Sequence, residues 1–185
     1  MRGGHDRDEV WDGVLVMMPL TDLDHQSISG ELASIFLTLR GLDRSSRVFA
    51  GCNVSDREDG WIENYREPDV AVYLPGNPAK DCDTHWCGGP DLAVEIVSPH
   101  DRSRDKAPFY AKVGVREFLV VDRAPWTLEL YRPSDETLAL VESATVDGGE
   151  VVRLGVLPLS LRLLKGDTRP TIEVAQATDG RRWMI

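Results

Sequence analysis

Apolar positions recur along this chain with two periods. Ile28, Leu32, Ile35, Phe36 and Leu39 return every three or four residues, the spacing that puts side chains on one helical face. Thr21 or Asp22 is placed to cap this helix and Gly41 to stop it. Shorter β-prone runs occupy residues 14–18, after a turn at Trp11, Asp12 and Gly13, then 47–54, 66–74, 92–97, 116–121 and 126–131. Residues 56–60 read as a polar turn, with Trp61 and Ile62 opening the return strand, and residues 75–90 read as a loop. A second helix is expected from about Asp105 to Val113, with Asp101, Ser103 or Asp105 as cap, Pro108 in its first turn and Gly114 closing it. Beyond it the pattern is all β, at 138–142, 151–156, 159–164 and 171–175, with Asp147, Gly148 and Gly149 as a hairpin turn.

Two of these strands carry a carboxylate where a buried strand would favour none. Asp69 opens one, with Val70 and Val72 on one face and Ala71 and Tyr73 on the face of Asp69. Glu95 lies between Ala93, Val94, Ile96 and Val97 in the other, and a charge there is expensive unless paired or ligated. The expectation is that Asp69 and Glu95 face each other across adjacent strands and hold a divalent metal. Hard carboxylate oxygens suit magnesium, with manganese as a substitute. With a lysine to orient water or counter negative charge, this is a minimal set for phosphodiester hydrolysis.

Composition narrows the setting. A chain of 185 residues, 42% hydrophobic and 28% charged, fits one domain over 1–185. Cys52, Cys82 and Cys87 are an odd number, which argues against a disulfide framework and for a reducing compartment, with the cytoplasm as default. The N-terminus lacks the apolar segment of a signal peptide, and no apolar run is long enough to span a bilayer. A formal charge of −10 opposes general nucleic-acid coating but leaves room for a nuclease with an acidic metal site. Cys82, His85 and Cys87 raise a weaker zinc reading, short of the four ligands a structural site needs.

Several ordered motifs together resemble the Uma-type family of putative restriction endonucleases, in the PD-(D/E)XK phosphodiesterase superfamily. They are Arg66-x-Pro68-Asp69-Val70, then Pro90-Asp91-Leu92-Ala93-Val94-Glu95-Ile96-Val97-Ser98-Pro99, then Asp105-Lys106 with Tyr110, Gly114, Glu117 and Asp122. Glu9 to Gly13, Met18-Pro19 and Asp24-His25-Gln26 resemble the family too, so the likeness covers most of residues 8–132. It implies an α+β fold of α/β-like character: a restriction-endonuclease-like core over about 8–132, its mixed central sheet flanked by helices, with extra N- and C-terminal β segments, the latter over about 133–185. It also implies Asp69 and Glu95 as the site acids and the Ile96 carbonyl as a further metal ligand. The superfamily's lysine position, two residues after the second acid, holds Val97; the resemblance points instead to Lys106 on the following helix. His25, Glu31, Arg66 and Ser98 are accessory candidates. Arg66, Arg102, Arg104, Lys106, Lys112 and Arg116 form a locally basic set for phosphates or for surface pairs.

The sequence therefore reads as a magnesium-dependent endonuclease hydrolysing DNA through Asp69, Glu95 and Lys106. The alternative is a catalytically inactive module of the same fold that binds nucleic acid or protein. A β edge in the C-terminal half leaves a homodimer open.

Overall fold

Asp22 starts the long helix Leu23–Arg40, its Oδ1 accepting the His25 backbone N–H at 2.8 Å, as an N-cap does. Ile28, Leu32, Ile35 and Phe36 are buried on the face the spacing predicted and pack on Val70, Val72, Leu92, Val94 and Ile96 of a central sheet. These relationships come from a computed structural model that describes residues 7–40, 45–99 and 102–185. The predicted stop at Gly41 and cap at Asp101 lie outside the described residues.

The central sheet has six strands in the order Thr137–Thr145, Trp126–Ser134, Glu117–Arg123, Leu92–Ile96, Val70–Tyr73, Arg47–Phe49. All neighbours are antiparallel except Leu92–Ile96 with Glu117–Arg123. Parallel neighbours need a crossover, supplied here by the 3-10 turn Ser103–Lys106 and the short helix Ala107–Lys112. That helix covers the second face, where Ala93, Phe109, Tyr110, Phe118 and Val120 form their own cluster. A sheet clad on both faces explains why Leu92–Ile96 is buried throughout.

Two smaller sheets flank this one. The C-terminal strands Val152–Arg153, Leu159–Leu164, Thr171–Gln176 and Arg182–Met184 form a four-stranded sheet, and Leu161, Leu163, Ile172 and Val174 extend the core over the long helix's side. The N-terminal hairpin Glu9–Trp11 and Val14–Val16 joins Tyr65–Arg66, Val54–Ser55, Trp86–Cys87 and Lys80–Asp81 in a sheet of short strands. The described residues hold more strand than helix and include two α-helices. Among the described residues no helix is long and apolar enough to cross a membrane.

Several expected strands divide where the backbone turns. The run 47–54 splits at Gly51, whose φ of 83° suits glycine, so Arg47–Phe49 joins the central sheet and Val54–Ser55 the N-terminal one. The run 66–74 splits at Pro68, which has no amide to donate, leaving Tyr65–Arg66 and Val70–Tyr73 in different sheets. Trp61–Glu63 is a 3-10 turn, and the return strand begins at Tyr65. Residues 75–90 contain a small hairpin, Lys80–Asp81 with Trp86–Cys87. Asp147 to Gly149 links strands of two sheets, because Thr137–Thr145 pairs with Trp126–Ser134 and Val152–Arg153 with Leu159–Leu164.

Candidate active site

The register Val70↔Val94, carried one residue further, sets Asp69 opposite Glu95 at the end of the two strands. Both carboxylates line one cleft with about 40 Å³ of open volume, together with Glu9, His25, Ile96, Ser98 and Lys106. Asp69 is held on three sides: its Oδ2 accepts the Ile96 N–H at 2.8 Å and lies 3.0 Å from His25 Nε2, while Oδ1 accepts from Arg7 at 2.8 Å.

Glu95 is gripped from the crossover. Lys106 Nζ donates to Oε1 at 2.8 Å and to Oε2 at 2.9 Å, and the Tyr110 hydroxyl donates to Oε1 at 2.6 Å. Lys106 sits in the 3-10 turn immediately before the short helix, and this position lets its side chain reach back over the end of the Glu95 strand. Its third contact is Glu9 Oε1 at 2.8 Å. Glu9 is fully buried, and it also takes the Glu67 N–H at 2.8 Å and the Trp11 indole N–H at 2.6 Å.

The electrostatics of the cleft are unbalanced. Glu9, Glu67, Asp69 and Glu95 line it against the cations Arg7 and Lys106, so carboxyl groups outnumber cations four to two. Burial pushes the Glu95 carboxyl up to about 8, with Lys106 opposing and Asp69 and Glu9 adding to the rise. Burial, reinforced by Glu9 and Asp69, raises Glu67 as well. Burial alone would lower Lys106, but Glu9 and Glu95 outweigh it and hold the ammonium charged. Burial and the same carboxylates keep Tyr110 protonated and donating.

The donor set fits a hard divalent cation. Asp69 and Glu95 offer carboxylate oxygens in one cleft, with Ile96 in the same lining, and hard oxygens of this kind suit such an ion. Among the described residues no three His, Cys, Asp or Glu side chains form a ready-made metal cluster. Two carboxylates with water completing the shell is a usual magnesium arrangement.

Of the accessory candidates, His25 and Ser98 line the cleft. Glu31 does not: it is exposed on the long helix and accepts from Ser27 at 2.8 Å. Arg66 also turns away, donating to Val10 O at 3.0 Å and lying over the Trp11 and Phe109 rings. The helical period that buries Ile28 and Leu32 carries Glu31 outward, and strand alternation turns Arg66 away from the cleft into a buried position beside it. The zinc reading fails on geometry: His85 stacks on Trp61 and bonds Arg57 O at 3.1 Å, while Cys82 Sγ faces Lys80 O at 3.7 Å. The basic set is largely neutralised, with Arg102 on Asp105, Arg104 on Asp122 and Glu129, Lys112 on Asp56 and Arg116 on Asp91.

Sequence reasoning assigned no role to Glu9, Arg7, Glu67 or Tyr110. Glu9 opens its strand directly after Arg7 and Asp8, so no local anomaly of the kind that marked Glu95 sets it apart. Nothing local distinguishes Arg7, whose partners are 60 or so residues away in sequence.

A search of curated proteins finds no match. A crystal structure of a putative nuclease belonging to DUF820 from Anabaena variabilis ATCC 29413 superposes with a TM-score of 0.63 over 80% of this chain and 82% of that one, at 20% identity. At that identity the likeness is one of fold. The model of Uma2, described as a putative restriction endonuclease, matches residues 3–164. A match over most of the chain, on the segment that builds the cleft, makes this protein a member of the Uma2 family.

Proposed function

We propose that this protein is a metal-dependent endonuclease that hydrolyses phosphodiester bonds in DNA. The observation that carries the reading is the convergence of Asp69, Glu95 and Lys106 on one cleft from three separate segments. Family membership supports a nuclease; magnesium and DNA are the chemistry this donor set suits best. Asp69, Glu95 and the Ile96 carbonyl would hold the cation. When bound, such an ion supplies charge stabilisation for phosphate oxygens and acidifies a water.

The protein's own groups account for the rest of the chemistry. In hydrolysis a water oxygen bonds to phosphorus, the bond to the leaving sugar oxygen breaks, the water gives up a proton to solvent and the sugar oxygen takes one up from it. Lys106 brings a buried positive charge beside the place where phosphoryl charge would develop, its N–H groups donating to Glu95 and Glu9, and a fixed positive charge there stabilises a transition state more than a ground state. Tyr110 and Glu9 hold its geometry through Glu95 and Lys106 respectively. Arg7, half-exposed at the mouth, is placed to meet a phosphate.

A second reading, a nuclease fold that binds without cutting, draws on one observation: the Asp69 and Glu95 oxygens already accept from Arg7, Ile96, Lys106 and Tyr110. One experiment separates the two. Supercoiled, linear and single-stranded DNA are incubated with magnesium or manganese, and cleavage is expected that falls at least about 100-fold in Glu95→Gln and Lys106→Met. Metal binding by calorimetry without cleavage of any substrate would favour the inactive module.

A further inference from the structure

Next to the cleft lies a second concavity of about 380 Å³, whose lining includes Trp11, Arg66, Arg102, Phe109 and Lys112. The two share a wall. Ser103 and Lys106 face the cleft while Arg102 and Asp105 face the groove, and the Trp11 indole N–H is bonded to Glu9 of the cleft at 2.6 Å.

The groove is built of alternating rings and guanidinium groups. Arg66 lies 4.2 Å from the Phe109 ring centre and 4.3 Å from that of Trp11, and Arg102 lies 4.6 Å from the Trp11 centre. Arg66 is buried, yet among the described residues no carboxylate pairs with it and its Nε has no hydrogen-bond partner. A buried cation without a counter-ion favours an anion in the space beside it.

The outer members are held weakly. Arg102 and Lys112 are more than half exposed and, among the described residues, each pairs with a single carboxylate, Asp105 and Asp56 respectively; ion pairs of exposed cations contribute little and are screened by salt. Each can exchange its carboxylate for a phosphate, and moving Arg102 uncovers the Trp11 ring. Asp12 and Asp105 in the same lining, with a chain charge of −10, leave too little field for duplex binding by charge alone. Stacking on an aromatic ring supplies what charge does not, and it requires an unpaired base.

We propose that this groove binds a single-stranded nucleic-acid segment, with one base stacked on Trp11 and flanking phosphates on Arg102 and Lys112, alongside the bond cut in the cleft. The class of partner rests on the nuclease reading; the groove itself does not depend on catalysis.

The test is fluorescence anisotropy of a labelled single-stranded oligonucleotide with the intact protein in EDTA, so that no cleavage intervenes. Arg102→Ala/Lys112→Ala is expected to weaken binding about tenfold or more and to lower the slope of log affinity against log salt by about 1.4, the value for two lost phosphate contacts. Trp11→Phe, which keeps a ring, should bind within a few-fold of wild type while losing the tryptophan quenching seen on binding. Equal single-strand affinity in the double variant, blunt duplex binding as tight as single strand, or no nucleic-acid binding by wild type would each overturn the groove. Groove-dependent binding with no cleavage under magnesium or manganese would support the groove and sink the nuclease reading, so the two fail separately.

Discussion

Glu9 and Lys106 begin almost a hundred residues apart and meet at 2.8 Å with both side chains buried. The lysine thereby bridges Glu9 and Glu95, and its charge is balanced twice over. Removing Glu9 leaves Lys106 on Glu95 alone and strips the Trp11 indole N–H and the Glu67 N–H of their acceptor. Glu9→Ala should lower the unfolding free energy by about 3 kcal/mol, whereas Lys165→Ala, at an exposed pair with Asp147, should change it by less than about 0.5 kcal/mol. Urea denaturation measures both. The double variant Glu9→Ala/Lys106→Ala should cost less than the two single changes added together, because each removes the other's uncompensated partner; strict additivity would refute the coupling.

Glu95 makes stability depend on pH in a defined direction. Its folded pKa, about 8, lies above the ordinary carboxyl value of 4.5, so the folded state binds the proton more tightly than the unfolded chain. That contribution is fully present below about pH 4.5 and is lost as pH rises through about 8. Without divalent metal, the melting temperature should therefore fall across this window, and Glu95→Gln should flatten the decline. A melting temperature that rises over the same range in wild type would contradict this environment for Glu95.

Metal affinity should run the other way. A carboxylate must lose its proton to ligate, so magnesium binding should tighten by about tenfold per pH unit up to about pH 8 and level off above it. Calorimetry in buffers of different ionisation enthalpy should record proton release on binding below that pH. Arg7 donates to Asp69 Oδ1 at 2.8 Å and competes for the same oxygen; Arg7→Ala is expected to tighten magnesium several-fold. An unchanged dissociation constant would mean that Arg7 yields the oxygen at no cost.

Asp22 is tied to both the helix and the sheet, capping His25 N–H at 2.8 Å and accepting from Arg123 at 2.8 Å. Its Arg123 bond and the His25 cap lower its pKa despite opposing burial. Asp22→Ala should cost about 1 kcal/mol in denaturant unfolding, as cap losses do, and Asp22→Asn should retain most of the stability. Equal losses in both variants would assign the effect to charge rather than to capping.

The long helix was legible because a 3.6-residue period over Ile28 to Leu39 has only one structural solution, and Leu92–Ile96 because five residues of strand carried a single charge. The ends of other strands were not legible. Gly51 and Pro68 sit inside runs that read as single strands, and only the change of sheet on either side shows why the chain needed a break there. Asp147 to Gly149 has the composition of a hairpin turn, but pairing partners are chosen by long-range packing, and the strands on either side pair elsewhere.

The site divides in the same way. Asp69 and Glu95 could be singled out from the sequence because a carboxylate in a buried strand is an anomaly visible one residue at a time, whereas Lys106 came from the family resemblance, which moves the lysine from the position of Val97 to the following helix. Glu9, Arg7, Glu67 and Tyr110 could not be placed there, since their contacts with the site acids and Lys106 are made only by folding. The sequence alone determined which strands carry the acids, through the local cost of burying charge. Only the tertiary structure decided what surrounds them, because the register Val70↔Val94, the crossover that carries Lys106 and the N-terminal hairpin that delivers Glu9 are long-range relationships with no local signature.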